Sequence, residues 1–85
     1  MLMTIPFISA ASYVQRWGYD IPFNDINHYP SISRVECQSI CDGDVNCKAY
    51  VTSSDTADTS ECWTKSSWTS IIEGPNEVRF THYKQ

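Results

Sequence analysis

Apolar and polar positions alternate along several short stretches of the chain, and turn-forming residues separate these stretches. The alternation predicts β-strands over residues 12–18, 47–52 and 61–65, and a closing strand over residues 77–84. The segment over residues 20–30 is rich in proline, asparagine and aspartate and predicts a loop. The pattern therefore describes a mainly β-structured chain.

Two polar stretches predict further turns. Residues 53–60 contain only serine, threonine, aspartate and one alanine, which is typical of a solvated hairpin loop. Gly74, Pro75 and Asn76 follow one another and predict a tight turn. The strands on either side of the 53–60 loop are therefore expected to form a hairpin.

A capping box predicts one short helix. Ser33 precedes Glu36 at the spacing at which the serine hydroxyl accepts from the amide of position 36, while the glutamate reaches back to the amide of position 33. Gly43 is expected to end the helix in a left-handed conformation. The helix is therefore predicted over residues 34–42, which is short enough to need tertiary support.

Four cysteines within a stretch of 26 residues indicate a disulfide framework and an oxidising compartment. At 85 residues the chain is one domain, and its core alone would be marginally stable. Cys37 and Cys41 lie four apart on one face of the predicted helix, so each should pair outward with Cys47 or Cys62, and spacing leaves both pairings open. Zinc is a minor alternative, because intervals of three, five and fourteen residues do not form two close cysteine pairs.

Charge and motifs weigh against several function classes. The net charge is −4 and the six basic residues are scattered, so the electrostatic footprint of a nucleic-acid-binding protein is missing. No apolar run reaches the length of a membrane span. His28 and His82 have no ligand or catalytic partner at a recognisable spacing, and the sequence contains no nucleophile elbow, phosphate loop or calcium loop. We therefore expect no enzymatic activity, no metal and no cofactor.

The first eleven residues are the most apolar part of the chain. They lack a basic start and Pro6 interrupts them, so an extended arm over residues 1–11 is favoured over a truncated leader. Such an arm could add as a strand to a neighbouring copy and build a fibre or oligomer, which is the structural alternative for the function.

The order of these features resembles the four-cysteine form of the PAN/Apple domain family, over about residues 17–83. The motifs that carry the resemblance are Asp20-Ile21-Pro22 with Asp25-Ile26, Cys37-x3-Cys41, Cys47-Lys48-Ala49-Tyr50, and Cys62-Trp63-Thr64-Lys65-Ser66. The resemblance implies an α+β fold over residues 12–85, a small disulfide-stapled domain with one short helix packed on a curved antiparallel sheet of about five strands. It also implies the bridges Cys37–Cys62 and Cys41–Cys47. Members of the family are extracellular, non-catalytic modules of adhesins, proteases and surface proteins that bind protein or carbohydrate.

Strand alternation suggests a contact surface on the sheet face away from the helix. If Cys47 faces the helix, the alternation places Tyr50 on that outer face. If Cys62 also faces the helix, Trp63 lies on the outer face as well. An aromatic pair on an outer face is typical of a contact site, but for Trp63 the favoured alternative is coverage by the amino-terminal segment or by a crossing loop. Trp17 is expected in the core. The candidate ligand contacts are Tyr50, Trp63, Lys65 and Trp68.

Overall fold

The computed structural model describes residues 11–74 and 78–85 and shows one helix packed on an antiparallel sheet of five strands. The strands are β1 (Tyr13–Trp17), β2 (Tyr19–Asp20), β3 (Asp25–Ile32), β4 (Ala49–Thr52), β5 (Ser60–Lys65), β6 (Ile72–Glu73) and β7 (Phe80–Lys84), and the helix is α1 (Arg34–Asp42). The predicted fold class, a small disulfide-stapled α+β domain, is confirmed. Of the arm expected over residues 1–11, only Ala11 is among the described residues.

The five-stranded sheet has the order β1-β7-β4-β5-β3, and β2 and β6 form a separate two-stranded sheet. The four predicted strands correspond to β1, β4, β5 and β7. All four residues of β4, at the centre of the sheet, are buried. The predicted turn at Gly74 includes Pro75 and Asn76, which lie outside the described residues.

The predicted loop over residues 20–30 was wrong, because most of it forms strand β3. This strand lies at the edge of the sheet and pairs only with β5 there, with shifts of register after Asp25 and again between Tyr29 and Ile32. Pro30 lies within the second shift. An edge position tolerates a proline, because the missing N–H costs no hydrogen bond to a second neighbour.

The helix has the predicted bounds, and its amino-terminal cap is confirmed. The Ser33 hydroxyl oxygen accepts from the amide of Glu36 at 3.0 Å, and the hydroxyl approaches the Glu36 carboxylate at 3.3 Å. The expected left-handed end was wrong, since Gly43 has φ −79° and ψ −6°. The chain instead continues in a right-handed turn, in which the amide of Asp44 donates to the carbonyl of Cys41 at 3.2 Å.

Two disulfides attach the helix to the sheet. Cys37 bonds Cys62 of β5, and Cys41 bonds Cys47 in the turn that leads into β4. This is the pairing that the resemblance implies. All four cysteines are fully buried and form one core cluster with Tyr50 of β4.

A second, smaller core lies on the sheet face away from the helix. Ile21 covers Ala49 and Val51 there, and all three are fully buried. The segment that carries Ile21 is attached to the sheet, because the Thr81 hydroxyl donates to the carbonyl of Tyr19 at 2.8 Å. Residues 19–22, the crossing segment, therefore cover part of the outer face.

Within the two described ranges, the chain has no helix that is long and apolar enough to cross a membrane.

The two bridges should contribute unequally to stability. Their sequence separations are 25 and 6 residues, so loop-closure entropy predicts losses of up to roughly 3.5 kcal/mol for C37A/C62A and roughly 2.3 kcal/mol for C41A/C47A. Urea unfolding of the oxidised proteins measures both losses. A larger loss for C41A/C47A would show that native-state packing, and not the closure of the chain, sets the order.

Candidate functional site

A cleft on the outer face of the sheet is the best candidate for a ligand site. Its volume is about 180 Å³. It is lined by Asp20, Ile21, Pro22, Asp25, Trp63, Lys65 and Arg79. These residues come from the crossing segment, from the start of β3, from β5 and from the approach to β7. Two of the four predicted contacts, Trp63 and Lys65, therefore lie together in one concave site.

Trp63 is the aromatic wall of the cleft and is only partly buried. The His28 ring, from the neighbouring strand β3, stacks on it with centroids 4.9 Å apart and planes 8° from parallel. The Arg79 guanidinium lies over the indole at 4.7 Å from its centroid, a cation–π geometry. His28 in turn approaches the Glu61 carboxylate at 3.3 Å. These neighbours orient the indole and place a cation beside it.

Lys65 contributes a buried ammonium group at the base of the cleft. The residue is 4 % exposed, and its Nζ forms an ion pair with the carboxylate of Asp25, whose side chain is 55 % exposed. The Asp20 carboxylate, which also lines the cleft, accepts from the amide of Ile21 at 2.8 Å. The cleft thus brings two carboxylates and two basic groups around one indole.

Sequence reasoning missed Arg79, Asp20 and Asp25 as parts of this site. Alternation along the closing strand puts Arg79 on the same face as Thr81 and Tyr83, but only the packing of the sheet shows that this is the outer face. The two aspartates belong to the segment that was predicted to be a loop. The approach of Asp25 to Trp63 depends on the pairing of β3 with β5, whereas Asp20 belongs to β2, which pairs with β6. No local pattern shows either pairing.

The predicted position of Tyr50 was wrong. Tyr50 is fully buried on the helix side of the sheet, so it forms no outer patch with Trp63. The error arose because the alternation was counted from Cys47. The Cys47 amide donates to the carbonyl of Asp44 at 3.0 Å in a turn, and the strand itself begins at Ala49.

Tyr50 instead belongs to a polar network between helix and sheet that the sequence did not reveal. Its hydroxyl donates to Gln38 at 2.7 Å and accepts from Arg34 at 3.2 Å. Its ring stacks on His82 with centroids 4.6 Å apart and planes 5° from parallel. Burial raises the pKa of Tyr50 to about 12, so this phenol stays protonated at neutral pH.

Asp55 joins the 53–60 loop to this network. Its carboxylate accepts from the Trp17 indole N–H at 3.0 Å, stands 3.8 Å from the guanidinium Nε of Arg34, and approaches Nε2 of His82 at 3.4 Å. Burial lowers the pKa of His82; the charge of Asp55 opposes that shift, and the charge of Arg34 adds to it. The arrangement is that of an interior packed around a neutral histidine.

The other two tryptophans lie away from the cleft. Trp68 stacks on Tyr83 of β7 with centroids 4.4 Å apart and remains 39 % exposed, on the outer face but outside the cleft lining. Trp17 is 56 % exposed, so the prediction that it is a core residue was wrong. It belongs to an edge strand, and its indole N–H donates to the partly exposed Asp55 carboxylate.

In the part of the chain that the structure describes, no group of three or more histidine, cysteine, aspartate or glutamate side chains is arranged to hold a metal ion. Comparison with models of protein families, with curated proteins and with solved structures finds no match to this chain.

The buried His82 should make the protein less stable in acid. Folding lowers the pKa of His82. The neutral ring therefore contributes its full stabilisation above about pH 6.5, and this stabilisation is lost as the pH falls through the pKa of the folded state. H82F keeps an aromatic ring against Tyr50 and removes the titration. Urea unfolding from about pH 7.5 down to about pH 4.5 should therefore show a shallower loss of free energy in H82F than in the wild type.

H28Q provides the comparison for removal of a histidine that is exposed and lies on the other face of the sheet. The change in pH slope should be larger in H82F than in H28Q. Equal pH slopes for H82F and the wild type would contradict the assignment of a neutral buried histidine.

Proposed function

We propose that this chain is a non-enzymatic extracellular recognition module of the PAN/Apple type, and that it binds its ligand in the cleft beside Trp63. The observation that carries the proposal is the convergence, in one concave site, of an oriented indole with two carboxylates and two basic groups. Sites of this kind combine an apolar wall with a few placed polar groups that orient the ligand.

The fold supports an extracellular setting. Two buried disulfides hold the only helix of the described residues to the sheet, and bridges of this kind persist in oxidising compartments. The cysteine order and the Cys62-Trp63-Thr64-Lys65-Ser66 motif are the basis for assigning the chain to the PAN/Apple type.

The size and content of the cleft favour binding over catalysis. About 180 Å³ is below the roughly 300–1,000 Å³ of pockets for drug-sized molecules, so the cleft suits one sugar ring or one side chain of a protein ligand. Asp25 is paired with Lys65, and Asp20 accepts from a backbone amide. Both carboxylates thus have structural partners, which is why we propose recognition and not a reaction.

Substitution of Trp63 tests this proposal. Ligands would be sought on a glycan array and by pull-down with extracellular proteins, and their affinities measured by titration calorimetry. W63A should weaken binding about tenfold, because it removes the aromatic wall of the cleft and the ring over which Arg79 lies. W68A should have a smaller effect, since Trp68 does not line the cleft.

W17A is the control, because Trp17 is an exposed tryptophan that does not line the cleft. Disulfide mapping and circular dichroism would establish that each variant is folded. Unchanged affinity in both W63A and R79A would remove the cleft as the ligand site.

A structural role is the second candidate, and the position of β1 favours it. This strand lies at the edge of the sheet, it pairs only with β7 among the described strands, and residues 1–11 lead into it. Edge strands present backbone groups to which another chain can add. A protein of this type would assemble into a fibre or oligomer through the arm.

Deletion of residues 1–11 distinguishes this second candidate. If the arm links copies, light scattering should give the mass of an oligomer for the full chain and of a monomer for the shortened chain. The same mass for both proteins, whether monomeric or oligomeric, would exclude assembly through the arm.

A further inference from the structure

The geometry points to a specific ligand class for the cleft: a neutral pyranose sugar, and neither an anionic nor a cationic one. This inference rests on the proposed recognition function. It depends on the balance of charges around Trp63 and on which hydrogen-bonding groups are already engaged.

The charges that line the cleft cancel. Asp20 and Asp25 contribute two carboxylates, and Lys65 and Arg79 contribute two cations. The whole chain carries −4, so no wider positive field attracts polyanions such as sulfated glycans. A charged ligand would therefore gain no net attraction in the cleft to offset the loss of its hydration.

The existing contacts of the two cationic groups also favour a neutral ligand over an anionic one. Lys65 is nearly fully buried and already paired with Asp25. An anion that recruited Lys65 would have to compete with that carboxylate at close range. Arg79 lies over the Trp63 ring, and its Nη1 donates to the carbonyl of Val78 at 2.8 Å. Neither cation is therefore presented as a dedicated anion clamp.

Sugar hydroxyls suit the acceptor positions that remain on the carboxylates of the cleft. Each carboxylate has more acceptor positions than its observed contact uses. Adjacent hydroxyls of one sugar ring can therefore donate to the carboxylates of Asp20 and Asp25. Ile21, Pro22 and the part of the Trp63 indole that His28 and Arg79 leave uncovered supply an apolar wall for the C–H face of the ring.

Three matched sugars test the inference. Methyl glucoside, glucuronic acid and glucosamine share a ring and differ in charge, and each would be titrated into ¹⁵N-labelled protein while the indole N–H signals are followed. The neutral sugar should perturb the Trp63 signal and bind at least about tenfold more tightly than either charged sugar. Its affinity should change by less than about twofold between about 20 and about 300 mM salt. Methyl mannoside, methyl galactoside and N-acetylglucosamine extend the neutral set.

Altering the charge balance provides a sharper test. D20N leaves the cleft with a net positive charge, so glucuronic acid should gain affinity relative to methyl glucoside. D58N makes the same change in an exposed part of the 53–60 loop and should leave the preference as it is. No gain for glucuronic acid in D20N, or an equal gain in D58N, would overturn the role of the cleft charges.

The outcomes separate this inference from the proposed function. Tighter binding of a charged sugar at Trp63 would overturn the inference and leave the recognition site in place. The inference would also be overturned, and the recognition site kept, if no neutral sugar perturbs the Trp63 signal while a protein ligand binds and W63A weakens that binding. If no ligand of any kind depends on Trp63, both proposals fall.

Discussion

The structure depends on the attachment of one short helix to the sheet by two disulfides. A helix of nine residues is too short to persist in water on its own, and its buried residues are its two cysteines. The bridges to Cys62 and Cys47 replace the broad apolar stripe that a longer helix would bury. They also define which side of the sheet faces inward.

That inward side determines where the candidate site lies. Because side chains along a strand alternate, Cys62 pointing at the helix leaves Trp63 and Lys65 on the opposite face. The crossing segment through Ile21 then covers part of this face and leaves the cleft beside it. A covalent constraint in the interior thus sets the geometry of a surface site.

The interior itself is unusually polar for such a small domain. Tyr50, His82 and Asp55 occupy the space between the helix, the sheet and the 53–60 loop, with Arg34 completing the network from the helix. Burying such groups is unfavourable unless they find partners. The Tyr50 hydroxyl has hydrogen bonds, whereas the buried ring nitrogens of His82 have none among the described residues and its ring stacks on Tyr50. The bridges and this network together take the place of a large apolar core.

Local chemistry was readable in the sequence, and non-local pairing was not. The Ser33 cap, the helix bounds, the 53–60 loop and four of the strands follow from short-range rules, because capping, turn chemistry and alternation act within a few residues. The outer position of Trp63 also followed, since Cys62 gave the alternation in β5 a reference point.

Only the tertiary structure decided the rest. Alternation defines which residues share a face but not which face that is, so Tyr50 was misplaced when the count began in a turn rather than in the strand. The β3 edge strand, the burial of His82 and the approach of Arg79 to Trp63 all depend on strand order in the sheet. That order is settled by contacts between residues far apart in the chain, because each pairing is stable only once the others have formed around the same core.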